Sequence, residues 1–316
     1  MIGGILMAEK MLSGEASLLV GIISYLPNDP TLRAKRTTAV RFQCDWLNNV
    51  LPLNKKLVVA QNYGTDEVLH SGNYDYIYAE PLGAGEARNV ILRRFYSSEY
   101  DWLLLLDDDT VIDDKYSPNN FIDDIQKYSH RFDECKIQAI SAVQPEYHPY
   151  KKQNYDDKYN LDYYKFTPRE LSSGSATSLI RNVVKLGGPD VYYPDVNANK
   201  GEGLEDVEFL LQWLLEGYTW YDMNTWIRKS LCWNDSTIWK SREADHNLLL
   251  HNLDMVCEKY GKYGLHRDIN GKVTWSEFNN HYNHSLKTIY VKRTIPIQYD
   301  DSTIPKVKKP TAMALF

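Results

Sequence analysis

The sequence lacks the features that mark several large protein classes. Only four cysteines occur in 316 residues and none forms a CxxC pair, so neither a disulfide framework nor a cysteine zinc site is expected. The longest apolar run near the N-terminus, residues 16–25, is too short to span a bilayer. A formal net charge of -6 and a pI of about 5.8 exclude a chain-wide positive field for nucleic acid or anionic membranes. We therefore expect a folded cytoplasmic protein without a membrane span.

Several motifs that define common enzyme and binding classes are also missing. The sequence has no Walker phosphate loop and no GxSxG elbow. The segment GAGEARN at 83–89 lacks the third glycine of GxGxxG, because Arg88 stands there, which argues against a dinucleotide site. Residues 266–277 imitate an EF-hand loop, but His266 occupies the first ligand position, where aspartate is expected. A hairpin turning at Asn270 and Gly271 explains that segment better.

Apolar runs alternate with helical patterns through the first third of the chain. The runs at 18–24, 56–61, 74–78 and 102–106 predict buried strands. Apolar residues at helical spacing predict helices at 32–51 and 83–95. This alternation predicts an α/β fold with a doubly wound, mostly parallel sheet, whose ligands bind beyond the carboxyl ends of the strands.

The remaining chain gives a less regular pattern. We predict a flexible lead-in over 1–15, a catalytic domain over 16–240 that divides near 143, and a C-terminal extension over 241–316. Within these ranges we expect helices at 121–132, 205–216 and 243–260, a strand at 137–143, a surface excursion at 144–167 and an extended tail from 287. Gly217 is placed to cap the second of these helices.

Three consecutive aspartates follow the most apolar strand. Asp107, Asp108 and Asp109 come directly after four leucines, and adjacent like charges are costly unless a cation offsets them. Oxygen ligands at a strand's carboxyl end suit Mn²⁺ or Mg²⁺, which can stabilise a departing diphosphate. A solvated acidic turn, helped by Thr110, is the alternative reading of the same residues.

The order of the motifs resembles that of a known enzyme family. The segments GAGEARN and YDWLLLLDDD, followed by SSGSATSLIRNVVKLGGPD and GLEDVEFLLQWLLEGYTW, resemble the two halves of GT-A glycosyltransferases, especially family 2. The resemblance covers roughly residues 17–225. It implies a GT-A fold, with a nucleotide-sugar half that ends in an Asp-x-Asp (DXD) motif and an acceptor half after it.

The resemblance also implies roles for the residues that match its donor half. Asp109 would bind the metal, Asp107 would lie near the ribose or base, and Asp108 would be adjacent to both. The other implied donor-binding residues follow strands or open a helix: Ser24, Tyr25, Asn62 and Arg88. Many relatives have an acid where this chain has Asn62, so this position does not support the expectation of a UDP-sugar.

In the acceptor half, Asp206, in preference to Glu205, matches the general base of inverting enzymes of this type. The alternative is that both acids only complement the dipole of the helix they open. Ser173 and Gly174 would lie under the sugar, or form an ordinary tight bend. A C-terminal histidine often completes such a metal site, and His246 is favoured over His251.

The sequence leaves the acceptor and two other functions open. The acceptor would be a glycan, or a hydroxymethylated base in phage DNA, and a homodimer is an open option. A nucleotidyltransferase is a rival, although SYLPNDP after the first strand lacks the basic, glycine-rich signature that such enzymes need. A non-catalytic nucleotide-sugar-binding protein is the second rival, and it would not need a metal.

Overall fold

The structure of the protein is a computed structural model, which describes part of the chain. The described residues are 17–26, 29–50, 56–62, 75–79, 84–108, 110–112, 138–142, 163–168, 178–194, 205–218, 220–223, 227–229, 254–263, 265–267, 273–275 and 289–292. Asp109, Ser173, Gly174, His246, His251 and the helix predicted at 121–132 lie outside them.

The first half alternates strands and helices, as the periodicity predicts. Its elements are β1 (Leu18–Leu26), α1 (Pro30–Val50), β2 (Lys56–Asn62), β3 (Asp75–Ala79), α2 (Ala84–Tyr96) and β4 (Trp102–Asp107). Asp29 caps α1 by accepting a hydrogen bond at 2.8 Å from the backbone N–H of Leu32, and Pro30 fills the first helical position. Each of these elements lies within a few residues of its predicted position.

The second half contains more strands than the sequence pattern predicts. The strands are β5 (Thr110–Ile112), β6 (Ala139–Ala142), β7 (Tyr163–Pro168), β8 (Ser178–Arg181), β9 (Trp220–Met223), β10 (Ile227–Lys229), β11 (Leu265–Arg267), β12 (Val273–Trp275) and β13 (Ile289–Lys292). The helices are the 3-10 turn η1 (Val184–Leu186), α3 (Glu205–Leu215), α4 (254–260) and the 3-10 turn η2 (Gly261–Tyr263). The end of the predicted surface excursion is therefore the strand β7.

Nine of the described strands form one mixed sheet in the order β13-β7-β9-β6-β8-β4-β1-β2-β3. The prediction of a mostly parallel sheet is wrong, because four neighbouring pairs are parallel and four are antiparallel. Two of the antiparallel pairs come from β8, which lies between β4 and β6, and the other two come from β7, which lies between β9 and β13.

The order of β4, β1 and β2 creates a topological switch point. β1 lies between β4 and β2 and is parallel to both, while the chain reaches β2 through α1 and β4 through α2. Ile23 on β1 is opposite Asp107 on β4, and Leu26 is opposite Asn62 on β2. The carboxyl ends of these strands therefore share one edge, which is where open α/β sheets bind ligands.

The largest core cluster lies on the face of the sheet that carries α2 and α3. Ile91 and Phe95 of α2 pack with Leu103 and Leu105 of β4 and with an aromatic group on and after α3. Gly21 allows α2 to approach β1 closely, because a Cβ there would lie 2.5 Å from Cγ2 of Ile91. The buried residues Val40, Cys44 and Leu47 belong to α1, which packs on β1.

α3 ends at the glycine cap that the sequence predicts and packs against elements of the C-terminal extension. Gly217 has a φ of 81°, and the N–H of Tyr218 bonds the carbonyl of Trp213 at 3.0 Å, which closes the helix. A second cluster joins Leu211 of α3 to residues of α4 and β11. β11 and β12 pair in antiparallel register on either side of the predicted turn, and β13 from the tail is an edge strand of the main sheet.

No helix among the described residues is both long and apolar enough to cross a membrane.

Candidate active site at the switch point

The two-residue repeat of a strand sends the first two aspartates of the acidic run to opposite faces of the sheet. Leu103 and Leu105 face α2, so Asp107 faces α2 as well, and Asp108 turns toward α1. Arg88 of α2 bonds Asp107 from Nη2 at 2.9 Å. Arg36 of α1 donates from Nη1 to both carboxylate oxygens of Asp108 at 2.8 Å each. An arginine therefore offsets each of these two charges.

Arg88 joins the two halves of the chain. Besides Asp107, its guanidinium bonds Oε1 of Glu205 at the start of α3, at 3.3 Å, although 117 residues separate the two. Its side chain is only 10% exposed. Burial alone lowers the pKa of Arg88, but the charge of Asp107, followed by Tyr193 and Glu205, raises that pKa well above its ordinary value. Arg88 is thus a permanent cation between two carboxylates.

Tyr193 lies over this guanidinium and is held on three sides. The centre of its ring is 5.2 Å from Cζ of Arg88, and the ring stacks on Phe209 of α3 with centroids 4.0 Å apart and planes 9° apart. The side-chain amide of Asn89 bonds both backbone groups of Tyr193, accepting from its N–H at 2.7 Å and donating to its carbonyl at 3.0 Å. This clamp fixes a segment that has no regular secondary structure.

The phenol of Tyr193 interacts electrostatically with the charged side chains of the site. Burial raises the pKa of Tyr193 well above its ordinary value; the positive charge of Arg88 lowers it, and the carboxylates of Asp206, Asp107 and Glu205 raise it further. The charges of Asp206 and Glu205, on α3, and of Asp107, on β4, therefore all act on the same phenol. The structure therefore brings Arg88, Asp107, Glu205 and Asp206 together.

Glu205 and Asp206 have different surroundings although they are adjacent. Both lie in the first turn of α3, where the helix dipole favours negative charge. Glu205 is tied to Arg88, and its side chain is 14% exposed. Asp206 is partly buried and is not part of that ion pair. Arg88 therefore forms an ion pair with Glu205 and not with Asp206.

The strands beside β4 contribute the remaining predicted donor residues. Ser24 follows Ile23 on β1, so it is level with the end of β4, and its buried hydroxyl has no hydrogen-bond partner within the described part of the chain. A buried hydroxyl without a partner is uncommon and suits a site that a ligand completes. Tyr25 and Asn62 lie at the carboxyl ends of β1 and β2 at the same edge.

The described residues do not by themselves form a metal site. No group of three His, Cys, Asp or Glu side chains suited to a metal occurs among them. Asp107 and Asp108 are each paired with an arginine, so the charge repulsion that favours a metal in the sequence is largely offset by protein groups. The predicted ligands Asp109 and His246, like the predicted sugar-site residues Ser173 and Gly174, lie outside the described residues.

Sequence reasoning did not single out Arg36, Asn89 or Tyr193. Arg36 is one of several basic residues on α1, and its pairing with Asp108 spans 72 residues. Asn89 was visible as part of the Ala-Arg-Asn motif that opens α2, but its contact is with Tyr193, 104 residues away. Tyr193 follows the Gly187-Gly188 turn in a stretch without periodicity, so no local pattern predicts a role for it.

Comparisons with known proteins give no family assignment. No protein-family model matches the chain, and no curated protein matches it significantly. Among solved structures, a mannosyltransferase from Pyrobaculum calidifontis in complex with GDP-mannose and Mn²⁺ is similar with a TM-score of 0.47 and 15% identity, over 81% of this chain and 72% of that one.

Two further structures represent two transferase classes. A Bacillus anthracis protein described as a glucose-1-phosphate thymidylyltransferase gives a TM-score of 0.40 and 12% identity, over 72% of this chain and 96% of that one. A Drosophila galactosyltransferase in complex with manganese, UDP-galactose and xylobiose gives a TM-score of 0.33 and 13% identity, over 66% of this chain and 65% of that one. These solved structures include both glycosyltransferases and a nucleotidyltransferase, and at these scores they assign neither activity to the chain.

Proposed function

We propose that this protein is a glycosyltransferase that moves a sugar from a nucleoside diphosphate sugar to a hydroxyl acceptor, with inversion. The observation that carries the proposal is the buried bridge from Asp107 through Arg88 to Glu205. It joins the end of β4, at the switch point where a nucleotide fits, to the acidic start of α3, where a base for an acceptor is needed. Two reactants can therefore meet between these elements.

In this proposal the donor nucleotide lies along the edge formed by β1, β2 and β4. Ser24, on β1, offers a buried hydroxyl without a partner among the described residues, and Tyr25 and Asn62 lie at the carboxyl ends of β1 and β2. Asp107 lies at the boundary between the nucleotide and the sugar. A UDP-sugar is the preferred donor.

Asp206 is the proposed general base. Its carboxylate accepts the proton of the acceptor hydroxyl while that oxygen forms a bond to the anomeric carbon. The bond from this carbon to the diphosphate oxygen breaks in the same step, and the diphosphate leaves with the electron pair. Glu205 accepts a hydrogen bond from Arg88 at 3.3 Å, so its carboxylate is less available to accept a proton than that of Asp206. Because the attack is a single displacement, the anomeric configuration inverts.

Mn²⁺ or Mg²⁺ would neutralise the leaving diphosphate if Asp109 and His246 bind it. Since the described residues alone do not supply a ligand set, this part of the proposal depends on Asp109, and no step above passes through the metal. The acceptor class is a glycan; the acidic net charge of -6 argues against phage DNA with hydroxymethylated bases as the alternative.

The test is a screen of donors followed by a turnover assay. UDP-, GDP- and dTDP-sugars are compared by thermal shift, since a ligand that binds the folded state raises its apparent stability. The best donor is then incubated with Mn²⁺, and release of nucleoside diphosphate is measured for the wild type and for Asp109→Ala. The proposal expects release by the wild type and loss of most of it in the variant. Equal turnover would refute the metal assignment, and no release with any donor would refute the transferase.

A further inference from the structure

Asn89 holds the backbone of Tyr193 with one side-chain amide. Its oxygen accepts a hydrogen bond from the N–H of Tyr193 at 2.7 Å, and its nitrogen donates to the carbonyl of the same residue at 3.0 Å. That nitrogen also donates to Oε2 of Glu86 at 3.0 Å. Because an ionised carboxylate can only accept, Glu86 fixes which end of the amide faces which backbone group of Tyr193. Asn89 is 4% exposed, so water competes little for these bonds.

The ring of Tyr193 carries this hold to Arg88. The centre of the ring is 5.2 Å from Cζ of Arg88, close enough for a cation–π contact, and the ring also stacks on Phe209. Because its backbone is fixed and its ring is packed, Tyr193 limits where the guanidinium can lie. Asn89 therefore acts on its own neighbour, Arg88, through a residue 104 positions away in the sequence.

The position of this guanidinium matters because it joins the two halves of the site. Arg88 donates to Asp107 at the end of β4 at 2.9 Å and to Glu205 at the start of α3 at 3.3 Å. An arginine side chain has several rotatable bonds, so making both contacts at once costs conformational entropy unless neighbouring groups restrict it. Tyr193 supplies such a restriction, and Asn89 keeps Tyr193 in place.

We infer that Asn89 is a positioning residue, which holds Tyr193 against Arg88 so that the guanidinium bridges β4 and α3. Its consequence for turnover rests on the proposed function, in which β4 carries the donor and α3 carries the base. The rival is that Asn89 only stabilises the fold. The two differ in what the loss of Asn89 does to the bridge.

The first experiment measures the bridge without any substrate. The coupling between Arg88→Met and Glu205→Gln in urea unfolding is determined in the wild type and again in the presence of Asn89→Leu, which is similar in size and lacks the amide. The coupling should fall by about half or more. Asn89→Ala is the second variant, because it leaves room for water to bond both backbone groups of Tyr193 and so preserves the fold, and the coupling should fall there too.

Asn182→Leu is the matched control. Asn182 is another buried asparagine that bonds backbone groups, donating to the carbonyls of Phe95 and Tyr100 at 3.1 and 3.0 Å. It follows β8 beside the amino end of β4, at the edge of the sheet opposite the site. Asn182→Leu should lower the stability and leave the coupling between Arg88 and Glu205 unchanged.

The second experiment measures turnover with the donor and acceptor that the wild type uses, at a temperature where each variant is folded. Asn89→Leu should lower kcat about tenfold or more, since a displacement of about 1 Å can cost about 100-fold. The KM of the donor should change by less than about twofold, and Asn182→Leu should keep kcat within about twofold. In Tyr193→Leu, which already lacks the ring, adding Asn89→Leu should lower kcat by less than about twofold.

An unchanged coupling in both Asn89 variants would overturn the inference, because the bridge then forms without the amide. An equal fall in Asn182→Leu, or a wild type without coupling, would overturn it as well. Wild-type kcat in Asn89→Leu would remove Asn89 from the reaction. If the coupling falls as expected and the wild type turns over no donor, the proposed function fails, while the placement of Arg88 by Asn89 stands.

Discussion

The bridge through Arg88 makes a prediction about stability that can be tested without knowing the substrate. Arg88→Met removes the cation between Asp107 and Glu205 and keeps a similar apolar stem. Glu205→Gln keeps an oxygen that can accept the bond at 3.3 Å but removes its charge. If Arg88 bridges the two halves, the effect of either substitution depends on whether the other is present.

The expected magnitudes follow from burial and from the partners. Removing one member of a buried ion pair costs about 3–5 kcal/mol. The side chains of Asp107 and Glu205 are 17% and 14% exposed, so solvent reaches them and we expect a cost for Arg88→Met shifted below this range, to about 2–4 kcal/mol. A charged hydrogen bond is worth about 1 kcal/mol more than a neutral one, which sets the expected cost of Glu205→Gln. The coupling between the two substitutions should be about 1–2 kcal/mol.

The assay is urea unfolding at neutral pH, followed by the fluorescence of buried tryptophans such as Trp213 and Trp220. The wild type, both single variants and the double variant complete the cycle. Arg94→Met, at an exposed position on the same helix, is the control and should change the free energy of unfolding by less than about 0.5 kcal/mol. If the two substitutions add within about 0.5 kcal/mol, Arg88 does not couple β4 to α3 and the reasoning fails.

Three other substitutions test one ion pair and two helix caps. Lys259→Met leaves the carboxylate of Glu208 buried without the cation that bonds it at 2.7 Å; it should lower the free energy of unfolding, and Glu208→Gln in the same chain should recover part of the loss. The pKa of Lys259 is raised in the fold, so its contribution is complete below about pH 10.4 and is lost at higher pH, where unfolding curves of wild type and variant should converge. Gly217→Ala, at a φ of 81°, should cost about 1 kcal/mol in urea unfolding, and no change would contradict the cap. Asp29→Ala removes the bond to Leu32 and should also cost about 1 kcal/mol, whereas Asp29→Asn should be nearly neutral.

Much of the first half of the fold could be predicted because its signals are local. A continuous apolar run such as the one that forms β4 specifies a buried strand, and Gly217 marks a helix end by its position alone. The direction of β8 could not be predicted, because an apolar run has the same pattern whichever way it pairs. The prediction of a mostly parallel sheet failed for this reason, and because β7, which runs antiparallel to β9 and β13, was predicted as part of a surface excursion.

The sequence singles out the acidic residues of the candidate site but not all of the residues that pair with them. Asp107, Glu205 and Asp206 stand out because acidic residues follow a strand or open a helix, and the structure brings them together. The arginine that pairs with Asp108 is 72 residues away, and nothing local distinguishes Arg36 from the other basic residues on α1. The repulsion that favours a metal is therefore offset largely within the protein, which only the tertiary structure reveals.

The most direct test of the central claim is the turnover of Asp206→Asn with the donor and acceptor that the wild type uses. The account predicts a fall in kcat of about 10²–10⁴-fold, since a general base is lost, with donor affinity unchanged within a few-fold. Glu205→Gln should lose much less, because Glu205 holds Arg88 and does not accept the proton. Wild-type turnover by Asp206→Asn, or a larger loss in Glu205→Gln than in Asp206→Asn, would contradict the account.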